Sequence, residues 1–301
     1  MPTPLTARIV AGHGRHYYAE TDEGTLFEAR RRGKKGDVVV GDWVDCTPAD
    51  ERTLAVESIQ PRRNLLFRSD EWRVKSLAAN VDLVAVVFAP RPSYNPWFVW
   101  RAVVAAKTAG IDVMALRNKV DLAEGKAETD AFARELSQQA GCPTLALCAH
   151  DEASVRTLLA PHFAGRTVLL IGQSGMGKST ILNALVPDAQ ARTREFSEAL
   201  DLGKQTTTAT RLYRTTIAGA PSAVIDSPGF QEFGLAHVTR NDILRAMPDV
   251  LQYAEGCRFY NCTHRHEPGC AVRAALDAGL ISKARYEFYC AIAKDAAEDL
   301  C

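Results

Sequence analysis

Residues 172–180 read Gly172-Gln173-Ser174-Gly175-Met176-Gly177-Lys178-Ser179-Thr180. No other stretch of the chain restricts its fold as strongly. The apolar run 166–172 suits a buried strand, and residues 179–185 carry apolar side chains at helical spacing. Strand, glycine loop and helix in that order form a phosphate cradle. Gly172, Gly175 and Gly177 let the backbone turn several N–H groups inward onto one anion, and the helix that follows adds its positive end. Lys178 supplies a point charge for the β and γ oxygens of a nucleotide. The Ser179 hydroxyl is placed to hold Mg²⁺.

Which base accompanies those phosphates is encoded some fifty residues earlier. Asn118-Lys119-Val120-Asp121 follows the apolar run Ile111–Leu116, at the carboxyl end of an expected strand, where open α/β sheets bind ligands. A carboxylate at Asp121 accepts from guanine N1–H and N2–H₂, whereas adenine would leave it buried and unmatched. Asn118 buttresses the loop, and the Lys119 stem lies along the base plane. Cys148-Ala149, ending a further strand, offers backbone N–H groups to the guanine edge. Downstream, Ala223-Val224-Ile225 leads into Asp226-Ser227-Pro228-Gly229. Asp226 is expected to hold Mg²⁺ through its outer sphere and Gly229 N–H to meet the γ-phosphate. One hydroxyl of Thr206, Thr207 and Thr208 would cap the metal in the triphosphate state, with Thr207 taken as the candidate.

The flanks differ in character. Residues 1–67 hold five short β-rich runs (7–10, 17–20, 25–29, 37–44 and 54–59), which point to a small OB-like barrel. Arg30, Arg31, Arg32, Lys34, Lys35, Arg62, Arg63 and Arg68 gather there, interleaved with Tyr17, Tyr18, Phe27 and Trp43. Such a surface suits an RNA backbone and its bases as readily as it suits a barrel core with a solvated loop. Alternating strands and helices over 68–238 indicate a mostly parallel sheet covered on both faces. Residues 239–301 are helix-rich around Cys257, Cys262, His264, His266 and Cys270, where three thiols and one histidine can close a tetrahedral zinc site. His264 and His266 are both candidate ligands on spacing alone. Lys plus Arg and Asp plus Glu are 36 each, so net charge names no polyanionic partner. No apolar run approaches about 18 residues and no signal peptide is evident, so a cytoplasmic protein is expected.

The order of the motifs is unusual. The base-reading segments precede the phosphate loop, the threonine cluster and Asp226, the reverse of a Ras-like GTPase. The α/β unit is therefore expected to be a circularly permuted Ras-like P-loop domain. In this the chain resembles the ribosome small-subunit-dependent GTPase family (RsgA/YjeQ) along nearly its whole length. The resemblance implies a GTPase that binds the small ribosomal subunit and its rRNA, hydrolyses GTP to GDP during late assembly and acts as a monomer without membrane contact. It selects His264 as the fourth ligand of one structural Zn²⁺ and the barrel as an RNA-binding domain. Phe230 stands where Ras-like enzymes carry the water-orienting glutamine, and the resemblance gives that task to His237 or to a group supplied in trans. Two positions depart from the family: Gln205 replaces a common histidine, and Cys148 a serine. A nucleotide-regulated RNA-binding module with incidental hydrolysis is the alternative, and an ATP-dependent enzyme is disfavoured by Asp121.

Overall fold

The computed structural model describes residues 5–13, 16–31, 38–69, 74–190, 209–231, 233–294 and 296. Five strands, β1 (Leu5–His13), β2 (His16–Thr21), β3 (Leu26–Arg31), β4 (Trp43–Pro48) and β5 (Thr53–Ile59), follow the order β1-β2-β3-β5-β4 and close through β1–β4. The β3–β5 pair is parallel and the others antiparallel, which is the OB-like closure expected from the turn spacing. Alternate residues point inward, so Ala7, Ile9, Ala19, Val44, Leu54 and Val56 fill a separate small core.

The fourth strand starts later than the run 37–44 indicates. Residues 38–42 turn instead: Val39 N–H donates to the Asp42 carboxylate at 2.9 Å, and Gly41 adopts φ +94°. A Cβ on Gly41 would come within 2.1 Å of the Ala79 carbonyl oxygen, so the turn is pressed against the next element. That element is an antiparallel ribbon, β6 (Leu65–Ser69) and β7 (Val74–Ala79), where the sequence indicates only a connector.

The α/β unit runs β8 (Leu83–Phe88), α1 (Pro96–Thr108), β9 (Asp112–Arg117), α2 (Lys126–Gln138), β10 (Thr144–Ala146), α3 (Glu152–Phe163), β11 (Thr167–Ile171), α4 (Lys178–Leu185), β12 (Thr210–Ile217) and β13 (Ala220–Asp226). Its strand order is β10-β9-β8-β11-β13-β12, all parallel except β12. Strands β8 and β11 are buried at every residue, which is why they read as unbroken apolar runs. β11 lies between β8, which precedes it in the chain, and β13, which follows it. The crevice beyond the carboxyl ends of these strands is the ligand position of open α/β sheets. The end of β1 pairs with β12 through Ala11–Arg211 and Gly12–Thr210, so barrel and sheet are joined edge to edge.

Among the described residues that follow lie the helices α5 (Arg240–Ala246), α6 (Pro248–Ala254), α7 (Ala271–Asp277) and α8 (Lys283–Lys294). They share the large apolar core of the α/β unit instead of building their own. Phe288 of α8 packs on Trp97 and Trp100 of α1 with centroids 5.6 and 5.2 Å apart. Beside them Arg285 grips both carboxylate oxygens of Asp249 at 2.8 Å, with the pair almost fully buried. Removing one partner of such a pair costs about 3–5 kcal/mol, because the other charge is stranded. Among the described residues no helix is long and apolar enough to cross a membrane.

Candidate nucleotide-binding site and metal centre

The phosphate loop leaves β11 at Ile171 and enters α4 at Lys178. Gly175 and Gly177 take φ of +76° and +97°, values an L side chain resists. Space forbids side chains as well. A Cβ on Gly172 would lie 2.5 Å from Val87 O, and one on Gly177 would lie 2.1 Å from Asn118 Nδ2. The Lys178 ammonium reaches back to donate to the carbonyls of Gly172 and Gln173 at 2.8 and 3.1 Å. Burial lowers its pKa, while the Asp226 carboxylate opposes that shift. Ser179 is exposed and Thr180 half-buried in the first turn of α4, whose free N–H groups and dipole favour an anion. Ser174, Gly175 and Met176 complete the loop, with Met176 buried.

Asn118 ties that loop to the base-side loops. Its Nδ2 donates to Met176 O at 2.9 Å, and its Oδ1 accepts from Lys119 N at 2.7 Å and Ala149 N at 2.9 Å. Lys119, at φ +60°, extends over the loop and donates to Gly175 O and Arg91 O. Val120 N–H donates to Leu147 O at 3.3 Å, which fixes 118–121 against 147–149. The exposed Asp121 carboxylate is held below its ordinary pKa chiefly by a hydrogen bond from Cys148. The sequence offers the Cys148-Ala149 backbone N–H groups to the guanine edge; in the structure the Cys148 thiol bonds the Asp121 carboxylate and Ala149 N–H donates to Asn118 Oδ1. Beneath this frame lies Arg117, which no motif singles out. It is buried, with Nε on Thr129 Oγ1 at 3.2 Å and on Asp130 at 2.9 Å, and it anchors the end of β9 to α2.

The segment after β13 is organised differently. Asp226 is buried at the strand end beside Lys178. Gly229 abuts the phosphate loop so closely that a Cβ there would meet Ser174 Cα at 3.0 Å. Phe230 is buried, and the Arg68 guanidinium of β6 stacks 4.6 Å from its ring centroid. Ser69 and Gly234 exchange backbone hydrogen bonds at 3.3 and 3.0 Å, and Ala236 N–H donates to Ser69 Oγ at 3.1 Å. His237 packs on Phe67 with centroids 5.5 Å apart. Burial lowers its pKa, and its Nδ1 has no hydrogen-bond partner among the described residues. The ribbon therefore holds this segment through a single antiparallel bridge, Ser69 to Gly234, and the contacts around it. The threonines 206–208, and with them Thr207, lie outside the described residues.

Cys257, Cys262, His264 and Cys270 converge, their four ligand atoms lying within 4.8 Å of one another. Cys257 Sγ and Cys270 Sγ are 3.9 Å apart, and His264 Nδ1 is 3.4 and 3.6 Å from them. Tetrahedral zinc with usual bond lengths requires edges of about 3.5–3.8 Å, so the donor set fits. Burial lowers the His264 pKa, which favours the neutral ring a ligand requires. Its φ of +62° turns the ring into the cluster, and Tyr286 Oη donates to its carbonyl at 2.7 Å. His266 stands outside the group. At the phosphate loop the candidate magnesium ligands are hard oxygens, the Asp226 carboxylate and the Ser179 hydroxyl, and they fit that ion.

Comparison with known proteins agrees with this geometry. The chain aligns over 97% of its length with YjeQ from Thermotoga maritima (98% of that chain, TM-score 0.70, 24% identity) and with YloQ, described as a circularly permuted GTPase (95% of that chain, TM-score 0.67, 24% identity). The fold is that of the circularly permuted GTPases. Residues 59–236 match the family model for the RsgA GTPase. A small ribosomal subunit biogenesis GTPase RsgA of Bordetella pertussis is 51% identical over 93% of both chains, and that of Ralstonia pickettii is 43% identical over 93% of this chain and 90% of its own. The chain belongs to the RsgA GTPase family.

Proposed function

We propose that this protein hydrolyses GTP to GDP and phosphate during late assembly of the small ribosomal subunit, and that binding to the subunit accelerates the reaction. The observation that carries the nucleotide reading is Asn118. One side chain binds the phosphate loop, the 118–121 loop and the 147–149 loop, so phosphate and base contacts sit on one frame. Residues 172–180 with Lys178 hold the phosphates. Asp121, with Asn118, Lys119, Val120, Cys148 and Ala149, selects guanine, and Gly229 meets the γ-phosphate. Ser179 and Asp226 would hold the Mg²⁺ that accompanies GTP. That ion neutralises charge developing on the phosphate oxygens.

His237 orients the attacking water, because Phe230 cannot. Three units divide the work: a barrel (1–67) and a zinc-holding helical unit (239–301) grip rRNA on either side of the GTPase unit (68–238). One structural Zn²⁺ sits on Cys257, Cys262, His264 and Cys270. The protein acts as a cytoplasmic monomer. A nucleotide-regulated RNA-binding role with incidental hydrolysis is favoured by one observation, the packing of His237 on Phe67 with Phe230 at the glutamine position. Equilibrium competition with a fluorescent guanine nucleotide tests the base assignment: GTP displaces it and ATP does not. Equal displacement by both would remove the guanine reading.

A further inference from the structure

At the joint between barrel and α/β unit lies a basic cavity of about 230 Å³, lined by Arg8, Arg166, Arg214, Trp43 and Thr167, with Asp22 at its rim. Thr167 opens β11, and Ala223 on the neighbouring β13 also lines the cavity. The phosphate loop leaves the other end of β11, roughly 13 Å away along the strand. This cavity is therefore distinct from the nucleotide site.

The arginines are not equally compensated. Arg214 faces Glu20 at 3.7 Å and Asp22 at 3.5 Å and donates to Thr21 O. Arg166 pairs with Asp112 and donates to Asp82 O. Arg8 is 8% exposed, yet among the described residues its guanidinium makes one hydrogen bond, from Nη2 to Thr167 Oγ1 at 2.9 Å. Its Nε is buried without a partner, and among the described residues no carboxylate lies within ion-pair distance of it. Burial first, then Arg214, push its pKa down to about 10; Asp82 opposes them, Arg63 lowers it further and Glu20 opposes least. The Trp43 ring, 5.3 Å from Arg8 and 5.9 Å from Arg214, is a soft neighbour for both cations, not a counterion. A buried guanidinium lacking an anion is costly unless something supplies one.

We propose that this cavity binds a phosphate group, with Arg8 as its central donor and Arg214 and Arg166 flanking. Guanidinium forks with the Thr167 hydroxyl beside them match a tetrahedral oxyanion better than a spherical one. The phosphate comes from a small soluble phosphate or from the backbone of RNA lying across the joint.

The test uses the full-length protein loaded with GDP and Mg²⁺, so that the phosphate loop is filled. Inorganic phosphate and pyrophosphate are titrated by calorimetry, and a short single-stranded RNA by fluorescence anisotropy over a range of salt. Arg8→Met weakens the bound species at least about tenfold, as expected for losing hydrogen bonds from a charged donor. Asp22→Asn, at an exposed rim, strengthens it about twofold by freeing Arg214. Loss confined to pyrophosphate and phosphate identifies the small-anion source. Loss of RNA affinity, with a salt slope lowered by about one, identifies the backbone source. Wild-type affinities for all three probes in both variants would overturn the proposal. Should Arg8→Met fail to fold, an Asp22→Asn protein that binds no probe more tightly than wild type overturns it equally.

Discussion

The nucleotide frame and the segment 230–237 lie side by side but are held in opposite ways. In the frame, each loop is hydrogen-bonded to the next: Asn118 joins three of them, and Lys119 and Lys178 sit on loop carbonyls where phosphate and base would lie. The segment 230–237 leans on the β6–β7 ribbon, through Ser69 to Gly234, Arg68 to Phe230 and Phe67 to His237. That ribbon follows the barrel directly in the chain. The binding half of the site is built ahead of its ligand, and the position of the candidate hydrolytic group is set from outside the sheet. On the proposed function, a protein divided this way is expected to bind guanine nucleotide readily and to turn it over when the ribbon or its neighbours are engaged.

The largest break in the comparison is expected at Asp121. Asp121→Asn replaces one of the two acceptor oxygens facing guanine N1–H and N2–H₂ with an amide donor and lowers discrimination of GTP over ATP by about 10⁴, while favouring xanthosine triphosphate, whose second carbonyl matches that donor. Competition binding reads it. Next, His237→Ala is expected to lower subunit-stimulated turnover by about 10² and to leave GDP affinity within about twofold, which separates the two halves directly. Gly234→Ala sharpens the comparison without touching a titratable group. Its Cβ would lie 2.4 Å from Ser69 Oγ and 2.6 Å from Ser69 O, so the segment must leave the ribbon. Stimulated turnover should fall about threefold or more with affinity unchanged, a split seen by measuring kcat and nucleotide binding on the same preparation.

The smallest effect concerns pH. Burial lowers the His237 pKa, so near pH 6 the unfolded chain binds more protons than the folded one. The stability His237 confers is therefore present above about pH 6.5 and lost as pH falls through its folded value. His237→Gln should flatten the melting temperature between pH 7 and 5.

Legibility in the sequence tracked locality. The phosphate loop and residues 118–121 each occupy a few consecutive positions, and the candidate zinc ligands fall within fourteen, 257–270, because a short length of chain must present them together. Their residue types are dictated by backbone space, as at Gly172 and Gly177. Motif order then disclosed the permuted topology, since the strand carrying the phosphate loop must lie between strands from both sides of it. The ribbon was not legible. Leu65–Ser69 has no clean alternation, and its partners in 230–237 are more than 160 residues away, so no local pattern links Arg68 to Phe230. The turn at 38–42 was hidden for a related reason. Val38, Val39 and Val40 have strand propensity, but the Asp42 carboxylate and Gly41 draw the backbone into a turn packed against Ala79. Arg117 and Arg8 look like ordinary surface cations until burial is known.

The most direct test of the divided site is single-turnover GTP hydrolysis with and without purified small ribosomal subunits, with GDP affinity measured in parallel and ATP as control. Subunits should raise the hydrolysis rate by about 10² or more, leave GDP affinity within about twofold and have no effect on ATP. A GTP rate that subunits do not change, or one already fast without them, would contradict the account, because the hydrolytic half would then need no partner to complete it.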